Sequence, residues 1–202
     1  MPYPPVPTTP QGVLDFWFGL ERPGRKDDDA IRAVLGPLYE RAARHELDAW
    51  AAEPRGRLAL ILLLDQVPRH LYREDARAFA TDRKAQVLAQ RFLEIEDWLG
   101  FHSIEQYYAV VPFLHAEDVP KQERINPIIH RLAGQIEGWD YMGRVADLYL
   151  DTIRRFGYFP HRNRQRGLPV SPAEERFLKE EWGPRRRRIL PAEEAEPEAV
   201  KN

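Results

Sequence analysis

The chain has 202 residues, 43% of them hydrophobic and 31% charged, with a formal net charge of −2 and no cysteine. That length and balance describe one well-packed domain rather than a disordered chain, and the missing thiols exclude disulfides, thiolate zinc sites and thiol nucleophiles. Near-neutrality supplies no global field toward nucleic acid or an acidic membrane, and no apolar run approaches the roughly 20 residues that span a bilayer.

Neither a nucleic-acid nor a membrane partner is therefore expected. Met1 to Pro10 is proline-rich and lacks the basic start and apolar core of a signal peptide, so residues 1–10 read as a flexible lead and the cytoplasm as the location. Thr9-Pro10 is an N-cap followed by proline at the first helical position, and Gly19 closes a short helix through Leu14 and Trp17. Asp27, Asp28 and Asp29 sit where carboxylates favour a helix start. Gly36-Pro37 predicts an interruption before a stretch running through Leu38, Tyr39, Ala42, Leu47 and Trp50.

Pro54 opens the most apolar segment, Leu58 to Leu64, which is hydrophobic on every side and belongs in a core. It ends in Asp65-Gln66-Val67-Pro68-Arg69, and Pro68 predicts a kink or an end there. Helical periodicity returns from Asp82 to Leu99. Ser103 to Gln106 reads as a capping box for a helix reaching about His115, bent by Pro112. Pro120 begins another helix, which Gly138 ends, and Trp139 to Phe156 supplies the next, stopped by Gly157. Ser171-Pro172-Ala173-Glu174 caps a last helix to about Trp182, where Gly183-Pro184 stops it. About eight helices in antiparallel pairs make a single all-α domain over residues 11–184, either a compact bundle or a stack of helix pairs. Residues 185–202, four arginines followed by glutamates and prolines, read as a disordered charged tail.

Several chemistries have no residues to carry them. Ser103 and Ser171 are explained as caps, no G-x-G or Walker sequence exists, and no H-E-x-x-H is present, so neither a metal nor another cofactor is expected. Three polar clusters remain. Asp65 and Arg69, four apart, share a helix face and form either an internal clamp or a ligand site, with Pro68 freeing the carbonyl of Leu64. His115, Glu117 and Asp118, with Gln122 beyond, stand at a helix junction, either as caps or with His115 or Glu117 as a proton carrier. Phe159-Pro160-His161-Arg162-Asn163 displays donors from a turn and suits a carboxylate or phosphate, or else ties down helix ends.

The segments Val13–Gly19, Gly56–Asp82 (GRLALILLLDQVPRHLYREDARAFATD), Pro112–Asp118 with Gln122-Glu123-Arg124, and Phe159–Asn163 with Ser171–Glu175 together resemble the bacterial domain-of-unknown-function family 924, over about Val13 to Trp182. The resemblance implies a helical fold of the tetratricopeptide-like superfamily, a right-handed stack without the usual repeat sequence, and no established activity. Its polar motif positions correspond to Asp65, Gln66, Arg69, Arg73, His115, Glu117, Gln122, His161, Arg162 and Asn163. This chain departs from it at His70, where the family often has asparagine, and at Asn126-Pro127 inside a helix. The function expected first is binding of an anionic small molecule or peptide terminus in an internal polar pocket lined by those residues. A general acid–base enzyme, hydrolase-like, using His115 or His161 with Asp65 or Glu117 is the second expectation, and a ligand-free structural or protein-interaction module is the third.

Overall fold

Every residue from Leu58 to Leu64 is at most 1% exposed, as an all-round apolar helix requires. The computed structural model describes residues 3–20, 25–96 and 98–191, so the expectation for residues 192–202 of the tail lies outside the described residues. Among them are eight helices and no strand: α1 (Pro10–Phe18), α2 (Asp28–Ala43), α3 (54–71), α4 (Asp82–Ile95), α5 (Ser103–Leu114), α6 (Val119–Ala133), α7 (Tyr141–Phe156) and α8 (172–189). The chain is all-helical, and none of these helices is long and apolar enough to cross a membrane. It falls into two compact units, Met1–His115 and Ala116–Asn202.

In the first unit α3 is the buried axis, with α1, α2, α4 and α5 packed against it. The Thr9 hydroxyl accepts the Gly12 N–H and starts α1 as the local chemistry dictates. The expected interruption at Gly36-Pro37 does not occur, and α2 runs through both residues. A proline ring there forfeits one backbone bond, at about 3 kcal/mol. Ile31, Val34, Leu35, Leu38 and Ala42 are each at most 1% exposed, and burial of even two such aliphatic side chains, at about 1.5–3 kcal/mol each, offsets that loss. Leu47 and Trp50 follow outside the helix, Leu47 preceding and Trp50 within a separate turn, Asp48–Ala52. Buried Arg57 donates to the Ala51 and Ala52 carbonyls of that turn and lies 5.1 Å from the Phe92 ring centroid. The cap of α5 sits one residue earlier than the spacing predicts: the His102 N–H donates to Glu105, and Ser103 is the first helical residue.

Pro68 neither ends nor sharply breaks α3. Leu62–Gln66 forms a π turn in which the Val67 N–H reaches back to the Leu62 carbonyl, and the helix continues to Leu71. The Leu64 carbonyl, deprived of a donor at Pro68, accepts the Thr81 hydroxyl at 2.5 Å. Thr81→Val, which keeps the shape and removes the donor, is expected to cost about 1–3 kcal/mol in denaturant unfolding through the unsatisfied carbonyl. A loss under about 0.5 kcal/mol, the scatter of ordinary surface substitutions, would show that the carbonyl finds another donor.

In the second unit α6 and α7 form the principal pair and α8 packs on α7. Asp118 caps α6 by accepting the Lys121 N–H, and that helix ends at Ala133, before Gly138. Gly157 closes α7 at φ +77°, the left-handed conformation that glycine adopts without strain. The Ser171 capping box forms, with Ser171 and Glu174 bonded reciprocally. Gly183-Pro184 does not stop α8: a second π turn, Leu178–Trp182, precedes it and the helix extends to Ile189. Buried Trp182 anchors that segment among Phe159, Phe177 and Tyr149, and Arg185 pairs with Asp151 of α7 at 2.7 Å. Residues 185–189, expected to be loose, are therefore helical.

Candidate functional site

The π turn delivers Asp65 to the end of the buried stretch with no solvent exposure at all. A carboxylate there needs partners, and it has three. His115 Nδ1 lies 3.0 and 2.9 Å from its two oxygens, Gln66 Nε2 donates at 2.6 Å, and the Arg69 guanidinium is 3.4 Å away. Arg69 also donates to the Asp65 backbone carbonyl and pairs with Asp82 at 2.9 Å. Burial by itself would raise the Asp65 carboxyl, but Arg69 and His115 outweigh it and hold it at about 2. The carboxylate is thus ionised, and an ionised acceptor against Nδ1 fixes the imidazole so that Nδ1 carries the proton. Residues 50 positions apart are brought together by the packing of α3 against α5, whose last turn leads into His115.

Arg73, also expected at a site, stands elsewhere on the first unit. Its guanidinium grips Asp28, the first residue of α2, through two nitrogens. Asp28 in turn bonds His70 Nδ1 at 2.8 Å. Burial would push the Asp28 carboxyl up, but the bonds from Arg73 and His70 bring it down to about 2. Burial pushes the His70 imidazole below its ordinary range and Arg73 adds to the depression, which the bond to Asp28 opposes without reversing. The pair borders an open polar hollow of roughly 500 Å³ whose walls include Arg32, Tyr72 and Arg77.

The remaining expected residues form a network within the second unit. Glu117 accepts the Phe159 N–H at 3.1 Å and an Arg166 N–H at 3.0 Å, with Arg162 3.8 Å away. Arg162 is buried, its guanidinium 4.4 Å from the Phe159 ring centroid. Asn163 donates to Glu174 at 2.9 Å, an oxygen shared with the Tyr158 hydroxyl. His161 stacks on Trp182 at 4.6 Å. Gln122, 1% exposed, donates to the Ala116 carbonyl. Glu117 is committed to backbone and guanidinium donors, as a helix-end clamp would be.

Asp82, Thr81, Asp28 and His70 join these clusters without having been singled out by spacing. Asp82 lies 13 residues from Arg69, and Asp28 lies 42 from His70. Local rules assign Asp28 to a helix start, which it also is, and nothing local reveals its second partner. Among the described residues no group of three or more His, Asp or Glu side chains is placed to hold a metal ion.

A search of curated proteins finds no match. Among solved structures, the chain is similar to that of a protein of unknown function from Agrobacterium tumefaciens, at 29% identity and a TM-score of 0.75, covering 85% of this chain and 97% of the other. The model of a family described as bacterial protein of unknown function matches residues 13–181, a span that takes in both Asp65 and His115. The chain therefore belongs to that family, DUF924.

Proposed function

We propose that the protein is a general acid–base enzyme in which His115 moves the proton and Asp65 orients it. The observation that carries this reading is a fully buried carboxylate with both oxygens within 3.0 Å of one imidazole nitrogen. A carboxylate so placed selects the ring tautomer and stabilises the imidazolium formed when the ring takes up a proton. Arg69 lies 3.4 Å from the carboxylate, and Gln66 occupies a further lone pair. The reaction class is proton abstraction from water or from a substrate X–H bond, as in hydrolysis.

The receptor reading draws less support from the same geometry. A site for an anionic small molecule or peptide terminus needs uncommitted guanidinium, yet Arg69 is engaged by Asp65 and Asp82, and Arg162 lies against Glu117 and Phe159. The tetratricopeptide-like arrangement fits either reading, and the neighbouring pairs α4–α5 and α6–α7 support it.

The test is turnover of a panel of activated esters, amides and phosphoesters by the wild type, His115→Gln and Asp65→Asn. Loss of a positioned general base is expected to lower the rate about 10²–10⁴-fold in His115→Gln, with helicity unchanged. Asp65→Asn is expected to follow it, because an amide does not enforce the same tautomer. Wild-type turnover no faster than free imidazole on every substrate, or a fully active His115→Gln, would reduce the cluster to an internal clamp.

A further inference from the structure

The hollow beside His70 is independent of the Asp65–His115 pair and contains a constructed feature. His70 is 8% exposed, and its Nδ1 is held by the Asp28 carboxylate at 2.8 Å, nearer than the Arg73 nitrogen 3.1 Å from the same atom. Its ring packs edge-on against Trp17, 5.7 Å between centroids. A neutral imidazole bonded to a carboxylate through Nδ1–H presents its Nε2 as a hydrogen-bond acceptor. Among the described residues no side chain or backbone group engages that Nε2, and the ring borders the hollow.

Two guanidiniums on the walls are held weakly. Arg32 pairs with Asp29 at 3.3 Å with both side chains more than half exposed and donates to the Leu71 carbonyl at 3.3 Å, and Arg77 pairs with Asp75 at 3.0 Å while lying 4.3 Å from the Tyr72 ring centroid. Exposed pairs of this kind contribute little and exchange partners readily. Arg73 differs, because its grip on Asp28 fixes the floor. Glu74 and Asp75 also border the hollow, so the charge it accepts is small.

An acceptor on the floor and exchangeable cations on the walls define a complementary ligand: a hydroxyl for His70 and a carboxylate for the arginines. We infer that the hollow bounded by Arg32, His70 and Arg77 binds a small hydroxycarboxylate, its hydroxyl donating to His70 Nε2 and its carboxylate bridging Arg32 and Arg77.

Titration of the full chain with malate, succinate and glycerol at pH 7.5, followed by amide shifts and calorimetry, tests this. Malate is expected to bind saturably and at least tenfold more tightly than succinate, with glycerol not binding. Arg77→Gln, an exposed change that leaves the core untouched, is expected to weaken malate at least fivefold. His70→Asn keeps a donor toward Asp28 and removes the Nε2 acceptor, so malate and succinate should then bind alike. Absence of saturable malate binding, equal affinity for malate and succinate in the wild type, or glycerol binding as well as malate overturns the inference. So does Arg77→Gln with unchanged affinity, and that variant decides the matter if His70→Asn fails to fold.

Discussion

Asp65→Leu is expected to destabilise the first unit by about 3–5 kcal/mol, because it leaves Arg69 and His115 facing an apolar side chain at a position without solvent. Asp65→Asn retains shape and most bonds and is expected to cost less. The pH dependence separates charge from shape. The carboxyl has an ordinary value of 3.8 and is held at about 2 in the fold. The unfolded chain therefore binds the proton first on acidification, and the stabilisation is complete above about pH 4 and lost as pH falls toward 2. It amounts to roughly 2 kcal/mol. Urea unfolding of wild type and Asp65→Asn between pH 5 and pH 2 checks this. Parallel curves for the two proteins would mean that Asp65 is not the depressed group.

Gly56→Ala is expected to destabilise by about 3 kcal/mol, the upper end for an overpacked side chain, lowering the thermal midpoint by roughly 6–12 °C. Gly56 lies in the first turn of α3, and a Cβ on it would collide with the Trp50 backbone carbonyl. Helix propensity alone favours alanine by about 1 kcal/mol, so the two considerations predict opposite signs. Contact with a backbone atom decides between them, since no rotamer change relieves it. A thermal midpoint equal to or above the wild type would show that the Asp48–Ala52 turn yields without cost.

Local chemistry was readable wherever cause and effect lie within one turn. Thr9, Asp118 and Ser171 cap the helices their spacing implies, and Gly157 terminates α7 through its own φ. The misreadings are instructive in the opposite sense. Pro37 and Pro184 are breakers by local rules, yet buried residues on both sides of Pro37, and buried Trp182 with the Arg185–Asp151 pair beside Pro184, carry their helices through. The penalty of a proline is local, whereas the burial that overrides it comes from other elements. The same limit applies to the site. Asp65 and Arg69 share a face at four-residue spacing, but the partners that give them meaning, His115 and Asp82, arrive from α5 and α4. His70 gains its meaning in the same way, from Asp28 on α2 and the open hollow beside it.

The paired π turns in α3 and α8 have a consequence for phase. Each lies immediately upstream of an X-Pro step, Val67-Pro68 and Gly183-Pro184. Each adds one amino acid to a turn, so whatever follows is rotated by about 100° from where an uninterrupted helical wheel would put it. Excising a single codon within 62–66 would restore a regular spiral and leave His70 and Arg73 facing Asp28, whereas winding the same residues into a regular spiral without that deletion would swing both off it.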